Sequence, residues 1–105
     1  MKYPIINQFT KLNKNLRKKI KEIYLFGSRA RGDARSDSDY DLLLVVDKSF
    51  SFSDKDALYA RVMDILLKTG KLVSLKIFSE KEYSHLSELR TPFMQNFLKD
   101  RISVG

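Results

Sequence analysis

The sequence predicts a layered α/β or α+β fold in which helices pack against a small β-sheet. Helically spaced apolar residues occur near the N-terminus and again in the middle of the chain. Three short segments between and after them are rich in β-forming residues. The order helix, strand, loop, strand, helix, strand, helix therefore favours a sheet flanked by helices. About a dozen residues separate the first two strands, so their connection could be hairpin-like or a tight crossover.

The N-terminal segment predicts one helix followed by a strand. Apolar residues recur in steps of three and four from Ile5 to Ile23, which indicates a helix over residues 4–21. Its other positions carry several Lys and Arg residues, which are normally solvated but could contact phosphate. Residues 22–26 are rich in β-forming side chains and end at Gly27, so they predict a short strand that a turn terminates.

The rest of the chain predicts two more strands and two or three helices. Residues 39–47 predict a strand that is central in its sheet, since residues 42–46 are apolar on both alternating faces. Residues 53–70 begin with a plausible N-cap and end in glycine, which predicts a helix. Residues 71–78 alternate and predict a third strand, followed by one or two short helices broken near Pro92.

Composition limits the class of protein. A chain of 105 residues favours a single domain over residues 1–105. With no Cys and only His85 as an imidazole, disulfides and thiolate sites are excluded and zinc is disfavoured. No apolar run approaches the roughly 20 residues that span a bilayer, so we expect a cytoplasmic protein. The net charge of +7 predicts a surface that attracts nucleotides, nucleic acid or an acidic partner.

A charged segment, GSRARGDARSDSDYD, precedes the central strand directly. In a strand, residues two apart point to the same side, so Asp39 and Asp41 project together while Tyr40 points away. A divalent cation relieves the repulsion between two such carboxylates, and hard oxygen ligands select Mg²⁺ or Mn²⁺. Asp39 and Asp41 are therefore the predicted metal ligands.

The start of the same segment predicts a phosphate site. Gly27 has no side chain, so the backbone can approach a phosphate, and the Ser28 hydroxyl can donate to one. Arg29 adds positive charge. Each of these residue types is also common in turns, and only their combination with two carboxylates favours a function. A metal and a triphosphate held in one cleft are what phosphoryl or nucleotidyl transfer requires.

The stretch FGSRARGDARSDSDYDLLLVV resembles the signature of the nucleotidyltransferase superfamily that shares the DNA polymerase β-like palm. The length is most similar to that of minimal nucleotidyltransferases, which are often antitoxins of HEPN-domain toxins. The resemblance implies a mixed sheet flanked by helices, with Asp39 and Asp41 as catalytic residues that bind Mg²⁺. It also implies ATP or another nucleotide held near Gly27 and Ser28, with AMP transferred to a hydroxyl such as a toxin tyrosine.

The sequence departs from this pattern at the third carboxylate, which the superfamily usually supplies from a later strand. Ser74 occupies that position, and Lys76 lies two residues on along the same strand face. A third acid ordinarily helps to bind the metal and can take the proton of the attacking hydroxyl. Its loss is expected to weaken or abolish transfer.

Three hypotheses follow. The chain is an active nucleotidyltransferase that modifies a HEPN toxin, or a degenerate member that neutralises its partner by binding alone. The third hypothesis is a basic nucleic-acid-binding module, although no motif that reads DNA is present and nucleic acid is not expected as a direct substrate. The small size also makes association with a second copy plausible.

Overall fold

The computed structural model describes residues 4–105 and contains one mixed four-stranded sheet with helices on both faces. The predicted fold class is confirmed. Residues 1–3, which the single-domain prediction includes, lie outside the described part. In chain order the elements are α1 (Pro4–Thr10), α2 (Lys14–Lys18), β1 (Ile20–Phe26), α3 (Ser28–Arg31), β2 (Tyr40–Val46), α4 (Phe52–Thr69), β3 (Val73–Ser79), α5 (Glu80–Leu89), α6 (Pro92–Asp100) and β4 (Ile102–Ser103).

The single helix predicted over residues 4–21 is wrong in extent. The chain forms α1 and α2 separately and enters β1 at Ile20. Asn13 starts the second helix, since its side chain accepts a hydrogen bond from the Leu16 N–H. Ile20 and Ile23 are buried strand residues that happen to continue the helical spacing. The basic residues of the predicted helix face therefore lie on α2 and in the segments beside it, and α1 carries none.

The sheet has the strand order β3-β2-β1-β4. Strand β2 is antiparallel to β1 and parallel to β3, so it is central, as its apolar pattern predicts. The connection between β1 and β2 is consequently hairpin-like, whereas α4 carries the crossover to β3. Helix α4 begins with a capping box between Ser51 and Asp54 and ends at Gly70 with φ of 73°.

The two faces of β2 bury two separate cores. Leu42, Leu44 and Val46 belong to the larger core, which includes buried residues of α1, α2 and α4. Leu43 and Val45 belong to a smaller core with residues of β1 and α6. Because side chains alternate along a strand, Asp41 lies on the face of the smaller core, at the start of β2. The candidate site therefore lies at the edge of that core.

The C-terminal part forms two helices and one strand. Helix α6 has Thr91 as its N-cap and Pro92 in its first turn, which confirms the predicted break near this proline. The short strand β4 pairs with β1 and was not predicted, since its two residues have no pattern of their own. None of the helices within residues 4–105 combines the length and apolar character that crossing a membrane requires.

Candidate active site

Gly27 lies between β1 and α3 and approaches Asp41, one of the two predicted metal ligands. Its backbone has φ of 74° and ψ of −157°, a conformation that residues with a side chain rarely adopt. A Cβ atom at this position would lie 2.6 Å from Asp41 Oδ2. The missing side chain therefore leaves the space that the Asp41 carboxylate occupies against the main chain.

Sheet register brings the distant parts of the motif together. Asp41 pairs with Phe26 on β1 and with Ser74 on β3. Gly27 and Ser28 follow Phe26 directly, so they lie beside the start of β2. Ser28 is the first residue of α3, and its carbonyl accepts hydrogen bonds from Gly32 and Asp33. The structure thus places Gly27, Ser28 and Asp41 in one region, as the sequence predicts.

The two aspartates are close enough to interact electrostatically. Asp39 is exposed at the end of the loop, whereas Asp41 is half-buried in the first turn of β2. Burial raises the pKa of the Asp41 carboxyl above its usual range, and the negative charge of Asp39 raises that pKa further. Lys76 and Arg31 oppose the rise. The Asp41 carboxyl is therefore influenced by one negative charge, from Asp39, and by two positive charges, from Lys76 and Arg31.

The donor set suits a hard divalent cation whose other ligands come from substrate or water. Mg²⁺ is commonly held by one or two carboxylates together with phosphate oxygens. The partly desolvated Asp41 and the adjacent Asp39 fit that arrangement. Across residues 4–105, no group of three Asp, Glu or His side chains could hold a metal ion.

No nearby acid replaces the missing third carboxylate within the described residues. Ser74 is the direct neighbour of Asp41 on β3, and paired residues of adjacent strands share a face. Asp33 instead forms an ion pair with Arg31, and Glu82 caps the N-terminus of α5. The structure therefore places a hydroxyl beside Asp41, where the superfamily pattern would place a carboxylate.

Arg29 contacts the protein's own loop. Its guanidinium carbon lies 4.2 Å from the centroid of the Tyr40 ring. Its Nη2 donates to the carbonyl oxygens of Ser38, at 2.9 Å, and Ser36, at 3.3 Å. Its Nε is buried and has no hydrogen-bond partner among the described residues. The sequence predicts a phosphate ligand at this position and gives no signal for these contacts, because backbone carbonyl acceptors are not residue-specific.

A cavity of about 190 Å³ opens beside Gly27 on the side of α6. Arg31 crosses this region, donating to Asp33 at 3.2 Å and to Asp100 at 3.1 Å. Two larger cavities lie around Asp47 at the opposite end of β2, and another lies beside α2. Sequence reasoning did not identify the α6 residues beside the site, since nothing in their pattern relates them to the loop. The cavity is lined by Phe26, Gly27, Arg31, Phe93, Asn96, Phe97 and Asp100.

The chain belongs to the family described as polymerase beta, nucleotidyltransferase, whose profile matches residues 7–100. A relative from Methanocaldococcus jannaschii, named as a putative protein adenylyltransferase, is 34% identical over 89 residues, which are 85% of this chain and 82% of the relative.

Two solved structures share the fold. A putative nucleotidyltransferase from Sulfolobus solfataricus matches with a TM-score of 0.51 and 22% identity, over 94% of this chain and 78% of that one. A mutant of the toxin-antitoxin MntA-HpeT matches with a TM-score of 0.56 and 14% identity, over 93% of this chain and 70% of that one. At these identities the likeness concerns the fold alone.

Proposed function

We propose that this protein is a Mg²⁺-dependent transferase that moves AMP from ATP to a hydroxyl of a protein partner. The observation that carries the proposal is the Asp41 carboxylate seated against the main chain of Gly27, with the charge of Asp39 beside it. The name of the archaeal relative, a protein adenylyltransferase, supports a protein as acceptor. The family membership supports a nucleotide as donor.

Each residue of the site has a separate task in this proposal. Asp39 and Asp41 would hold the metal ion, and Gly27 and Ser28 would receive the triphosphate through the main chain and the hydroxyl. When bound, Mg²⁺ supplies charge neutralisation at the phosphate oxygens and a fixed orientation of the nucleotide. The half-buried setting of Asp41 strengthens its electrostatic interactions, since fewer water molecules screen them.

The reaction is an in-line displacement at the α-phosphorus. The acceptor oxygen forms a new P–O bond, the bond from the α-phosphorus to the bridging oxygen breaks, and pyrophosphate leaves with that oxygen. The hydroxyl proton passes to water, because Ser74 places no carboxylate beside Asp41 on β3. The protein's contribution is then positioning and charge neutralisation, which dominate phosphoryl transfer in general.

A HEPN-domain toxin is the proposed acceptor, with this chain as its antitoxin. The proposal rests on the resemblance of residues 26–46 to minimal nucleotidyltransferases, and the fold shared with a toxin-antitoxin protein agrees with it. We propose that residues 1–105 act as a single nucleotidyltransferase domain, whose open site would receive the partner's hydroxyl.

The test is calorimetric titration of ATP into the purified protein with and without Mg²⁺. We expect Mg²⁺-dependent binding that Asp39→Ala removes, because one of the two carboxylates is lost. Asp37→Ala is the matched control, since it removes an exposed carboxylate two residues earlier in the same loop. Transfer of α-labelled ATP to the co-purified toxin then tests the reaction. Binding that persists unchanged in Asp39→Ala would contradict the assignment of the site.

Neutralisation by contact alone is the second candidate function, and Ser74 beside Asp41 favours it. Without a third carboxylate, the site binds metal less strongly and has no general base beside the acceptor. The double variant Asp39→Ala, Asp41→Ala separates the two functions. If it still neutralises the toxin, binding is sufficient; if neutralisation is lost while the complex still forms, catalysis is required.

A further inference from the structure

The loop between α3 and β2 is attached to the fold at two points. Arg29 donates to the carbonyls of Ser36 and Ser38. Lys71, which precedes β3, also donates to the Ser36 carbonyl. Ser38 is the residue directly before Asp39, so the main chain that carries this carboxylate is held by the Arg29 side chain.

The orientation of the Arg29 guanidinium argues against its use as a phosphate ligand. Arginine recognises phosphate most effectively through two parallel N–H donors. In Arg29 the Nε is buried, so it is closed to a ligand, and Nη2 already donates to the loop. The planar group also stacks on Tyr40, the residue between the two aspartates.

We propose that Arg29 is a positioning residue: through Ser36, Ser38 and Tyr40 it holds Asp39 beside Asp41. Two of its contacts, Ser36 and Ser38, precede Asp39 in the sequence, and the third, Tyr40, follows it. The effect of Arg29 on catalysis rests on the proposed transferase function, whereas its role in positioning the loop does not. The sequence-based expectation gives Arg29 a phosphate contact, so the two roles make opposite predictions.

The first experiment is hydrogen exchange of the loop amides in the full chain. Arg29→Ala is expected to accelerate exchange over residues 34–39 by about tenfold or more, because the loop opens locally without the fold unfolding. Arg35→Ala is the matched control: it removes the same charge from the loop itself, and the Arg35 side chain forms no hydrogen bond or ion pair within residues 4–105. Equal exchange in Arg29→Ala and wild type would overturn the proposal.

The second experiment separates positioning from binding. For transfer of α-labelled ATP, Arg29→Ala should lower kcat by about tenfold or more with KM for ATP changed less than about threefold, since displaced groups impair chemistry more than binding. Arg29→Lys keeps the charge but cannot combine stacking with donation to two carbonyls, so it should not restore kcat. A raised KM that Arg29→Lys restores would identify a phosphate ligand and overturn the proposal.

The two experiments distinguish failure of the proposed transferase function from failure of the proposed role of Arg29. If wild-type protein neither binds nor transfers ATP, the transferase function fails, and the exchange measurement still decides whether Arg29 holds the loop. If Arg29→Ala does not fold, Arg29→Lys takes its place in the exchange measurement, with circular dichroism confirming the fold. Unchanged loop exchange in a folded Arg29→Lys protein would then count against the proposal.

Discussion

At the residue scale, the candidate site depends on one position without a side chain and one hydroxyl. Gly27 leaves the volume that the Asp41 carboxylate fills, and Ser74 stands beside that carboxylate on the neighbouring strand. The first feature fits the family's chemistry and the second departs from its usual pattern. Single substitutions at these two positions therefore test separate parts of the proposed function.

Gly27→Ala is expected to disrupt the site and destabilise the fold. The new Cβ would displace the Asp41 carboxylate, and the backbone conformation costs about 1–3 kcal/mol for a residue with a side chain. Gly32→Ala is the control, because φ is 84° there and no atom outside the adjacent residues lies within 4 Å of the added Cβ. We expect both variants to lower the denaturation midpoint, but only Gly27→Ala to lose Mg²⁺-dependent ATP binding. Equal losses in both would contradict a specific clash.

Ser74→Asp is expected to supply a third carboxylate to the site. Because paired residues share a face, the new acid would lie beside Asp41 and join the metal ligands. Label transfer should rise by about 100-fold if the acid also takes the acceptor's proton. Without Mg²⁺ the added charge should lower Tm, and Mg²⁺ should recover it. Ser74→Asn is the control, because asparagine has the shape of aspartate without its charge. A Tm that responds to Mg²⁺ equally in both variants would reject this arrangement.

At the element scale, strand register and helix caps determine where the functional residues lie. The central strand β2 carries Asp41 between Phe26 and Ser74, and α4 brings β3 into position beside it. The start of α4 is fixed by the capping box of Ser51 and Asp54, and Lys19 donates to the same Asp54 carboxylate at 2.9 Å. This contact connects the segment before β1 to the crossover helix.

Asp54 is expected to make stability depend on acid pH. Hydrogen bonds from Ser51 and then from Lys19 lower the pKa of Asp54 below its ordinary value. A group whose pKa is lower in the folded state stabilises fully above its unfolded pKa, and this stability is lost as pH falls through the folded pKa. We expect thermal melts of Asp54→Asn to depend less on pH below about 4 than wild-type melts.

A second carboxylate serves as the comparison for that measurement. Hydrogen bonds from Ser49 lower the pKa of Asp47, so thermal stability of Asp47→Asn should also depend less on pH in the acid range. Both variants should lower stability at neutral pH, and Asp54→Asn should lower it more because it also loses the ion pair with Lys19. If the thermal stability of Asp54→Asn falls with acid pH as steeply as that of wild type, the capping contact is not a source of the pH dependence.

Much of the fold was predictable because its signals are local. The apolar run of residues 42–46 identified the central strand correctly, and the glycine that ends α4 helped to identify the crossover helix. The division between α1 and α2 was missed because buried strand residues continue the helical period, although Asn13 offers an N-cap signal. Strand β4 and the four-residue helix α3 were missed because pairing and turn geometry, rather than composition, determine them.

The candidate site was predictable in its carboxylates and its turn, but not in its supporting contacts. Residues two apart in a strand share a face, which is why the sequence predicts Asp39 beside Asp41, although β2 itself begins at Tyr40. The Arg29 contacts depend on backbone carbonyls and a stacked ring, which are known only once the loop is folded. The ion pair of Arg31 with Asp100 joins residues 69 positions apart and has no sequence signal.

At the scale of the whole molecule, the net charge determines how strongly the protein attracts anions. The net charge of +7 attracts any polyanion, while the basic residues near the N-terminus are distributed over α2 and the connections beside it. Such a distribution provides attraction without a single element that could read a base sequence. Nucleotide binding at the candidate site and general anion binding should therefore respond differently to salt.

Binding of a short DNA duplex is expected to be weak and sensitive to salt. If six or more phosphates are contacted, affinity should fall by roughly 10³-fold between 50 and 200 mM salt. Mg²⁺-dependent ATP binding involves few charges in one place and should change far less. Fluorescence anisotropy of a labelled duplex beside ATP calorimetry makes the comparison. Duplex binding that resists salt would instead support a dedicated nucleic-acid-binding function.

The strand order has a consequence for the sequence of folding events. Gly27 and both aspartates lie on one hairpin-like excursion, so closure of a single short loop brings them together. Ser74 arrives only when α4 has formed and β3 has docked in parallel, which requires closure of a longer segment and is intrinsically slower. The carboxylate pair is therefore expected to assemble in the chain before the strand that completes its surroundings.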